Sequence, residues 1–182
     1  MNKAFTKESD YDPTLDIVAR PRDVLPPGVR NYITATGAAR LRAEFRELVD
    51  EARPAVTTEL SELAAAGRRE DPDHADAKRR LREVDRQIAW LDERIQSLEV
   101  VDPGRGDPDR VRFGARVTVL DGHDEERSWR IVGIDEADPA AGSVSWISPI
   151  AKALLGKEAG DEVAIRLPRG RLRVEILAID YD

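Results

Sequence analysis

The chain has 182 residues, 41% hydrophobic and 36% charged, with a net charge of −7 and no cysteine. That is material for one domain or two small ones with packed cores. It excludes disulfides and thiolate metal sites, and it argues against indiscriminate coating of DNA through broad basic surface. The opening residues, MNKAFTKESDYD, hold no apolar core of a secretory signal. No stretch approaches the roughly 20 apolar residues of a membrane span, so a cytoplasmic protein is expected.

Residues 1–31 carry Pro13, Pro21, Pro26 and Pro27 among many charges, with no sustained apolar period. Such composition predicts a disordered tail. From Tyr32 the pattern changes. Thr34 is placed to cap a helix ahead of Ala38 and Ala39. Leu41, Phe45, Leu48, Ala52, Val56, Leu60 and Leu63 then recur every three or four residues, one apolar stripe. Pro54 predicts a kink or a local break, because proline removes one N–H and crowds the preceding turn. Gly67 is the expected stop.

The second helix is read from Leu81, Val84, Ile88, Leu91, Ile95 and Leu98, a coiled-coil seam in alternating steps of three and four. Arg79, Arg80, Arg82, Glu83, Asp85, Arg86, Asp92, Glu93 and Arg94 lie between and around it and are expected on exposed faces. Two stripes joined by the polar stretch GRREDPDHAD predict an antiparallel hairpin over 32–101 with its tip near 67–77. Each arm reaches roughly 30–40 Å. No third or fourth helix follows to close a bundle.

Residues 102–110, DPGRGDPDR, read as a linker. Over 111–182 the period falls to two. Val117 and Val119, Trp129 and Ile131, Ser143–Ile147, Val163 to Leu167, and Leu172 to Ile176 read as strands, with turns at Asp121–Gly122 and Arg169–Gly170. A short helix runs from Pro149 to Leu155 behind Ser148 as its cap and ends at Gly156. The expected class is α+β: a helical hairpin followed by a small antiparallel β domain with one short helix.

Familiar chemistries fail on the residues. The two histidines, His74 and His123, fall in predicted turns and are expected to be exposed. There is no G-x-S-x-G and no P-loop. Trp90, Trp129 and Trp146 are expected to fill the seam and the β core. The tip acids Glu70, Asp71, Asp73 and Asp76 remain. Read blandly, they are a solvated turn. A lone carboxylate holds Mg²⁺ poorly, because the ion keeps most of its water and needs a phosphate or another protein to complete its shell. Acids at the end of a rod make chemical sense if the rod enters another protein's active site.

Six stretches, in order along the chain, carry a family resemblance: NYITATGAARLRAEF, EARPAVTTEL, KRRLREVDRQIAWLDERIQSLEVVD, VRFGARVTV, WRIVGIDEAD and ISPIAKALLGKEAGDEV. Over residues 31–182 the sequence resembles the Gre transcript cleavage factors, in particular their GreB-like branch. The resemblance implies an N-terminal antiparallel coiled coil and a C-terminal FKBP-like β domain. It implies a monomer whose partner is bacterial RNA polymerase. In the family the β domain docks at the rim of the polymerase's secondary channel, here through Ser148, Pro149, Ile150, Leu154 and Leu155. The coiled coil enters the channel, and tip acids help hold an Mg²⁺ ion shared with the polymerase, which then cleaves its own backtracked RNA. On this basis Glu70, Asp71 and Asp73 are the acids donated to the polymerase site, with Glu70 and Asp73 directed at the metal within the complex only. Arg68, Arg69, Lys78, Arg79, Arg80 and Arg82 would contact the nascent RNA 3′ end. The chain would then be a donated piece of an active site, not an enzyme by itself.

The tip departs from the family pattern. GreB-like tips place an acid directly after the glycine and another three residues on, whereas Gly67 is followed by Arg68 and Arg69. Glu70 falls on the family's second acid and Asp73 on its later acidic position. The first acid has no equivalent, Asp71 is the candidate substitute, His74 replaces a tyrosine, and Pro72 adds stiffness. Three readings stay open at this point: a cleavage-stimulating factor, a Gre-like factor that occupies the channel without stimulating cleavage, and a coiled-coil adaptor with no polymerase contact.

Overall fold

A computed structural model describes residue 25, residues 28–168 and residues 170–181. The tail expected over 1–31 lies outside the described residues at 1–24, 26 and 27. The elements run β1 (Asn31–Ile33), α1 (Ala35–Glu47), a π-helical turn (Leu48–Ala52), α2 (Arg53–Ala65), α3 (Pro72–Gln96) and β2 (Leu98–Val100). There follow β3 (Arg116–Asp121), β4 (Glu126–Val132), β5 (Ser143–Ser145), α4 (Pro149–Leu154), β6 (Glu162–Leu167) and β7 (Gly170–Asp180), with single 3₁₀ turns at Ile134–Glu136 and Pro139–Ala141. Two compact units result: a helical unit, Ala35–Val100, and a β unit that joins Val101 onward to the stretch ending at Thr34.

In the helical unit, the first arm has a local irregularity just before Pro54, where a π-helical turn (Leu48–Ala52) separates α1 from α2. The N–H of Arg53 reaches back five residues to the Leu48 carbonyl, and this wide turn leads into α2 with proline in its first turn. A first-turn residue needs no N–H donor, so the proline loses nothing there. Helix α3 has 25 residues, about 37 Å at 1.5 Å per residue. Its seam starts earlier than the leucines suggest. His74 and Ala77 are both buried, and they continue the same spacing of three and four back from Leu81. His74 is therefore a seam residue in the first turn of α3, not an exposed turn residue. The helix stops at Gln96, so Leu98 belongs to β2. Leu41, Val56 and Leu91 are buried, while Leu81, Val84, Ile88 and Ile95 are only half-buried. A pair of helices covers one side of each stripe only. Trp90 is half-buried, with the Arg94 guanidinium 5.7 Å from its ring centre. Arg53–Asp85 at 2.8 Å and Arg80–Glu59 at 2.5 Å link α2 to α3 on their exposed flanks. Exposed pairs contribute at most about 1 kcal/mol, so these fix register more than stability.

In the β unit the strands lie in the order β5-β4-β3-β7-β6. All neighbours are antiparallel except β4 and β5, which pair in parallel over three residues. The alternation read from the sequence puts Val117, Val119, Trp129, Ile131, Val163, Ile165, Val174 and Ile176 on one packed face with Val144 and α4. Each large side chain so buried contributes about 1.5–3 kcal/mol. Residues 102–110 form a structured loop: the Arg112 guanidinium donates to the carbonyls of Pro103, Arg105 and Asp107 and lies 4.7 Å from the Tyr181 ring centre. His123 is exposed in the β3–β4 turn, as expected.

The stretch Asn31–Thr34 is anchored on this unit. Tyr32 packs on Trp146 and Phe113, at 5.0 and 6.0 Å between ring centres. The Glu136 carboxylate accepts from the N–H groups of Thr34 (2.9 Å) and Gly133 (3.1 Å) and from the Thr34 hydroxyl. A Cβ on Gly133 would stand 2.4 Å from the Tyr32 carbonyl oxygen. Gly133→Ala should therefore destabilise the protein by about 1–3 kcal/mol, read as a lower midpoint in chemical unfolding.

Asp121 supplies a second anchor, under the β3–β4 turn. Its side chain is 2% exposed. Burial pushes its carboxyl up, but the N–H groups of His123 (2.8 Å) and Glu125 (3.1 Å) and the Arg127 Nε (3.1 Å) outweigh this and hold it below the usual carboxylate value. A depressed folded-state pKa stabilises above the unfolded value and is lost as pH falls through the folded one. Asp121→Asn should cost about 1–3 kcal/mol at neutral pH, and the gap from wild type should close on acidification below about pH 4. Paired denaturation curves across pH check both.

Candidate functional site at the hairpin tip

The turn between α2 and α3 is built from its backbone outward. Ala66 closes α2, and Gly67 takes φ +75°. In this left-handed region a Cβ is strained, so glycine is the fitting residue. The N–H of Arg68 then reaches the Leu63 carbonyl at 2.9 Å and that of Gly67 the Ala64 carbonyl at 3.2 Å, the paired bonds of a Schellman stop. The Arg68 carbonyl accepts from the Asp71 N–H at 3.2 Å. Asp71 is extended, its carbonyl accepts from the N–H groups of His74 and Ala75, and Pro72 opens α3.

The side chains follow from that frame. Asp71 occupies the cap position of α3, yet its carboxylate makes no cap bond to the helix. It accepts instead from Arg68 Nε at 2.5 Å, while Arg68 Nη2 donates to Asp73 at 2.7 Å. One guanidinium thus bridges two acids. The hydrogen bond to Asp71, then that to Asp73, pushes its pKa further up. Both acids also sit at the positive end of the α3 dipole. Asp76 pairs with Arg79 at 2.6 Å. Glu70 is exposed, and among the described residues it makes no hydrogen bond or ion pair.

The same geometry divides the basic residues. Arg68, Arg79 and Arg80 are engaged with acids. Arg69, Lys78 and Arg82 are exposed and unpaired among the described residues, and Lys78 and Arg82 share a face at a spacing of four. Of the six candidate cations, three are thus paired and three unpaired among the described residues.

The carboxylates are the right donor type for Mg²⁺, a hard cation that takes oxygen ligands. Among the described residues no three His, Cys, Asp or Glu side chains gather to hold a metal. Glu70 is available as it stands. Asp71 and Asp73 each share one oxygen, Oδ2, with Arg68. The donor set fits a magnesium site completed by other groups, not a site of its own.

The other candidate residues separate by burial. Ser148 is buried and accepts from the Ala151 N–H at 3.1 Å, capping α4. Ile150 and Leu154, expected to dock on a partner, are 0% exposed in the β core. A docking surface cannot use side chains that the core already covers, so of the five candidates Pro149 (exposed) and Leu155 (half-buried) are left facing outward. Reading the sequence missed the Arg68 bridge, although its acids at +3 and +5 across a tight turn were the available signal.

Against known proteins, a family model described as "Transcription elongation factor, N-terminal" matches residues 31–100. A second, "Transcription elongation factor, GreA/GreB, C-term", matches residues 106–181. The chain belongs to the GreA/GreB family of transcription elongation factors. The transcription elongation factor GreB of Neisseria meningitidis serogroup A is 43% identical over 84% of this chain and 94% of its own length. GreB of Pseudomonas aeruginosa is 45% identical over 82% and 89%, and GreA of Acidiphilium cryptum is 39% identical over 82% and 96%.

This Gre-family tip rests on its glycine. Gly67→Ala should cost about 1–2 kcal/mol from left-handed strain. Faster amide exchange at Gly67 and Arg68, with exchange in the β unit unchanged, is the expected outcome.

Proposed function

We propose that this elongation factor stimulates the intrinsic RNA cleavage of RNA polymerase and so rescues backtracked complexes. The observation that carries the reading is the tip itself: an unpaired carboxylate, Glu70, beside two exchangeable ones, Asp71 and Asp73, on a fixed turn at the end of a helix pair. Family membership supplies the setting. The hairpin enters the secondary channel of the polymerase, and Glu70 and Asp73 complete the shell of a weakly held Mg²⁺ in the complex, with Asp71 in support. Once bound there, that ion supplies charge stabilisation for phosphodiester hydrolysis. Arg69, Lys78 and Arg82 attract the phosphates of the extruded RNA 3′ segment, a contact that needs no base reading. The chain acts as a cytoplasmic monomer and is not an enzyme by itself. Its β unit docks at the channel rim through the outward residues Pro149 and Leu155.

A stalled, backtracked elongation complex at millimolar Mg²⁺ tests this. RNA should shorten from its 3′ end faster with the protein than without it. The Glu70→Ala/Asp73→Ala double variant should lose about 10- to 100-fold of that stimulation while still co-purifying with the polymerase. Undiminished cleavage by the double variant would remove the role assigned to these acids. The Arg68 bridge, which neutralises two of three acids, favours one alternative: a channel occupant that does not stimulate. That alternative predicts unchanged RNA length with binding retained, and slower cleavage by an ordinary cleavage factor in competition.

A further inference from the structure

We propose that the free edge of strand β6 pairs with the same edge of a second copy of this chain, joining two β units into one antiparallel sheet about a two-fold axis at Ala164. The inference goes beyond the cleavage reading and does not rest on it. One copy acts on the polymerase, and the pair is a state of the free chain.

The backbone carries the first part. Strand β6 ends the order β5-β4-β3-β7-β6, so one side of it meets no strand. Ile176 of β7 turns both its backbone groups toward the β6 side: its carbonyl accepts from the Gly160 N–H at 2.7 Å, and its N–H donates to the Asp161 carbonyl at 3.0 Å. This phase alternates along an antiparallel pair. Val174, Leu172 and Gly170 therefore bond toward their register partners Val163, Ile165 and Leu167. The remaining residues of β6, Glu162, Ala164 and Arg166, aim N–H and C=O out of the sheet edge. Such an edge is a template for another strand.

The side chains select which strand. Glu162, Ala164 and Arg166 are exposed, while Val163, Ile165 and Leu167 face the core. Ala164 thus has an acid two residues before it and an arginine two residues after. Antiparallel pairing of Ala164 with itself sets Glu162 opposite Arg166 of the second copy, and Arg166 opposite its Glu162, with all the outward backbone groups in phase. Moving the axis by one residue sets Ala164 against Arg166 or against Glu162 and loses both charge contacts. Within one copy this face opposes like with like. Glu162 stands across from Glu175, and Arg166 across from Arg171. All four are exposed, and none has an ion pair among the described residues. Like charges directly opposite destabilise a sheet, and opposite charges stabilise it. The two-fold lays each acid pair beside an arginine pair, in rows Glu175–Glu162–Arg166–Arg171 that cross from one copy to the other. The same patch serves both copies, so the assembly closes at two.

Sedimentation of the full-length chain alone, from micromolar to near-millimolar concentration, tests this. The average mass should climb from one chain toward two; a single chain throughout overturns the proposal. Glu162→Arg and Arg166→Glu each make the charges on the edge alike and should weaken association about tenfold. Equal parts of the two variants should pair again at the wild-type concentration, because one copy then brings two arginines and the other two acids. The double variant Glu162→Arg/Arg166→Glu, which exchanges the signs within one chain, should also associate as wild type does. Single variants that associate undiminished, or failure of both the mixture and the double variant to recover, overturn the proposal. If the wild-type chain stays single and the single variants lose co-purification with the polymerase, the edge serves a polymerase strand and self-pairing falls.

Discussion

A helix pair with no third helix has one stripe per helix to bury and nothing else to hold it. That constraint governs the helical unit. Most seam positions of α3 stay half-exposed, and full burial is reached only at a few points, among them Val56, His74, Ala77 and Leu91. The register between α2 and α3 therefore rests on small contributions: a handful of buried side chains, the Schellman turn at Gly67, and two cross-pairs on the flanks. A one-residue slip would take His74 and Ala77 out of the seam. The acids of the tip are held where they are because the seam runs right up to them.

Aspartate does two different jobs in this chain, and solvent access decides which. Asp121 and Arg127 are a structural pair: the carboxylate is 2% exposed, two backbone N–H groups join in, and removal of any partner would leave a buried charge. Asp71 and Asp73 use the same kind of arginine partner at shorter distances, yet water reaches both. In high dielectric the attraction is small and reversible. The first arrangement fixes a turn. The second keeps a carboxylate pair in order without committing it.

The stretch ISPIAKALLGKEAGDEV carries much of the family resemblance, and the structure shows what its residues do within the fold. Ser148 caps α4, Ile150 and Leu154 fill the core, and Gly156 and Gly160 take φ values of +80° and +89°. These are requirements of the β unit. A resemblance there identifies the fold securely while saying little about which side chains touch a partner. Much the same holds at Gly133, where the Tyr32 carbonyl occupies the space a Cβ would need.

The sequence by itself determined what periodicity and local chemistry encode. Leu81 to Ile95 announced α3 through steps of three and four, Val117 to Ile176 announced the strands through alternation, Ser148 and Gly156 bounded α4, and Gly67 marked the turn. Only the tertiary structure decided the rest, because it depends on what faces each residue. His74 looked like a turn residue until the seam of α2 was laid against it. Ile150 and Leu154 looked available until the sheet covered them. The stretch Asn31–Thr34 is too short for any period, and it owes its place to Glu136, about a hundred residues away in the chain. Arg68 read as one more cation in a charged run. Its hold on Asp71 and Asp73 exists because the left-handed turn at Gly67 points the chain back toward α3, and side-chain direction at such a turn is set by backbone geometry, which composition does not contain.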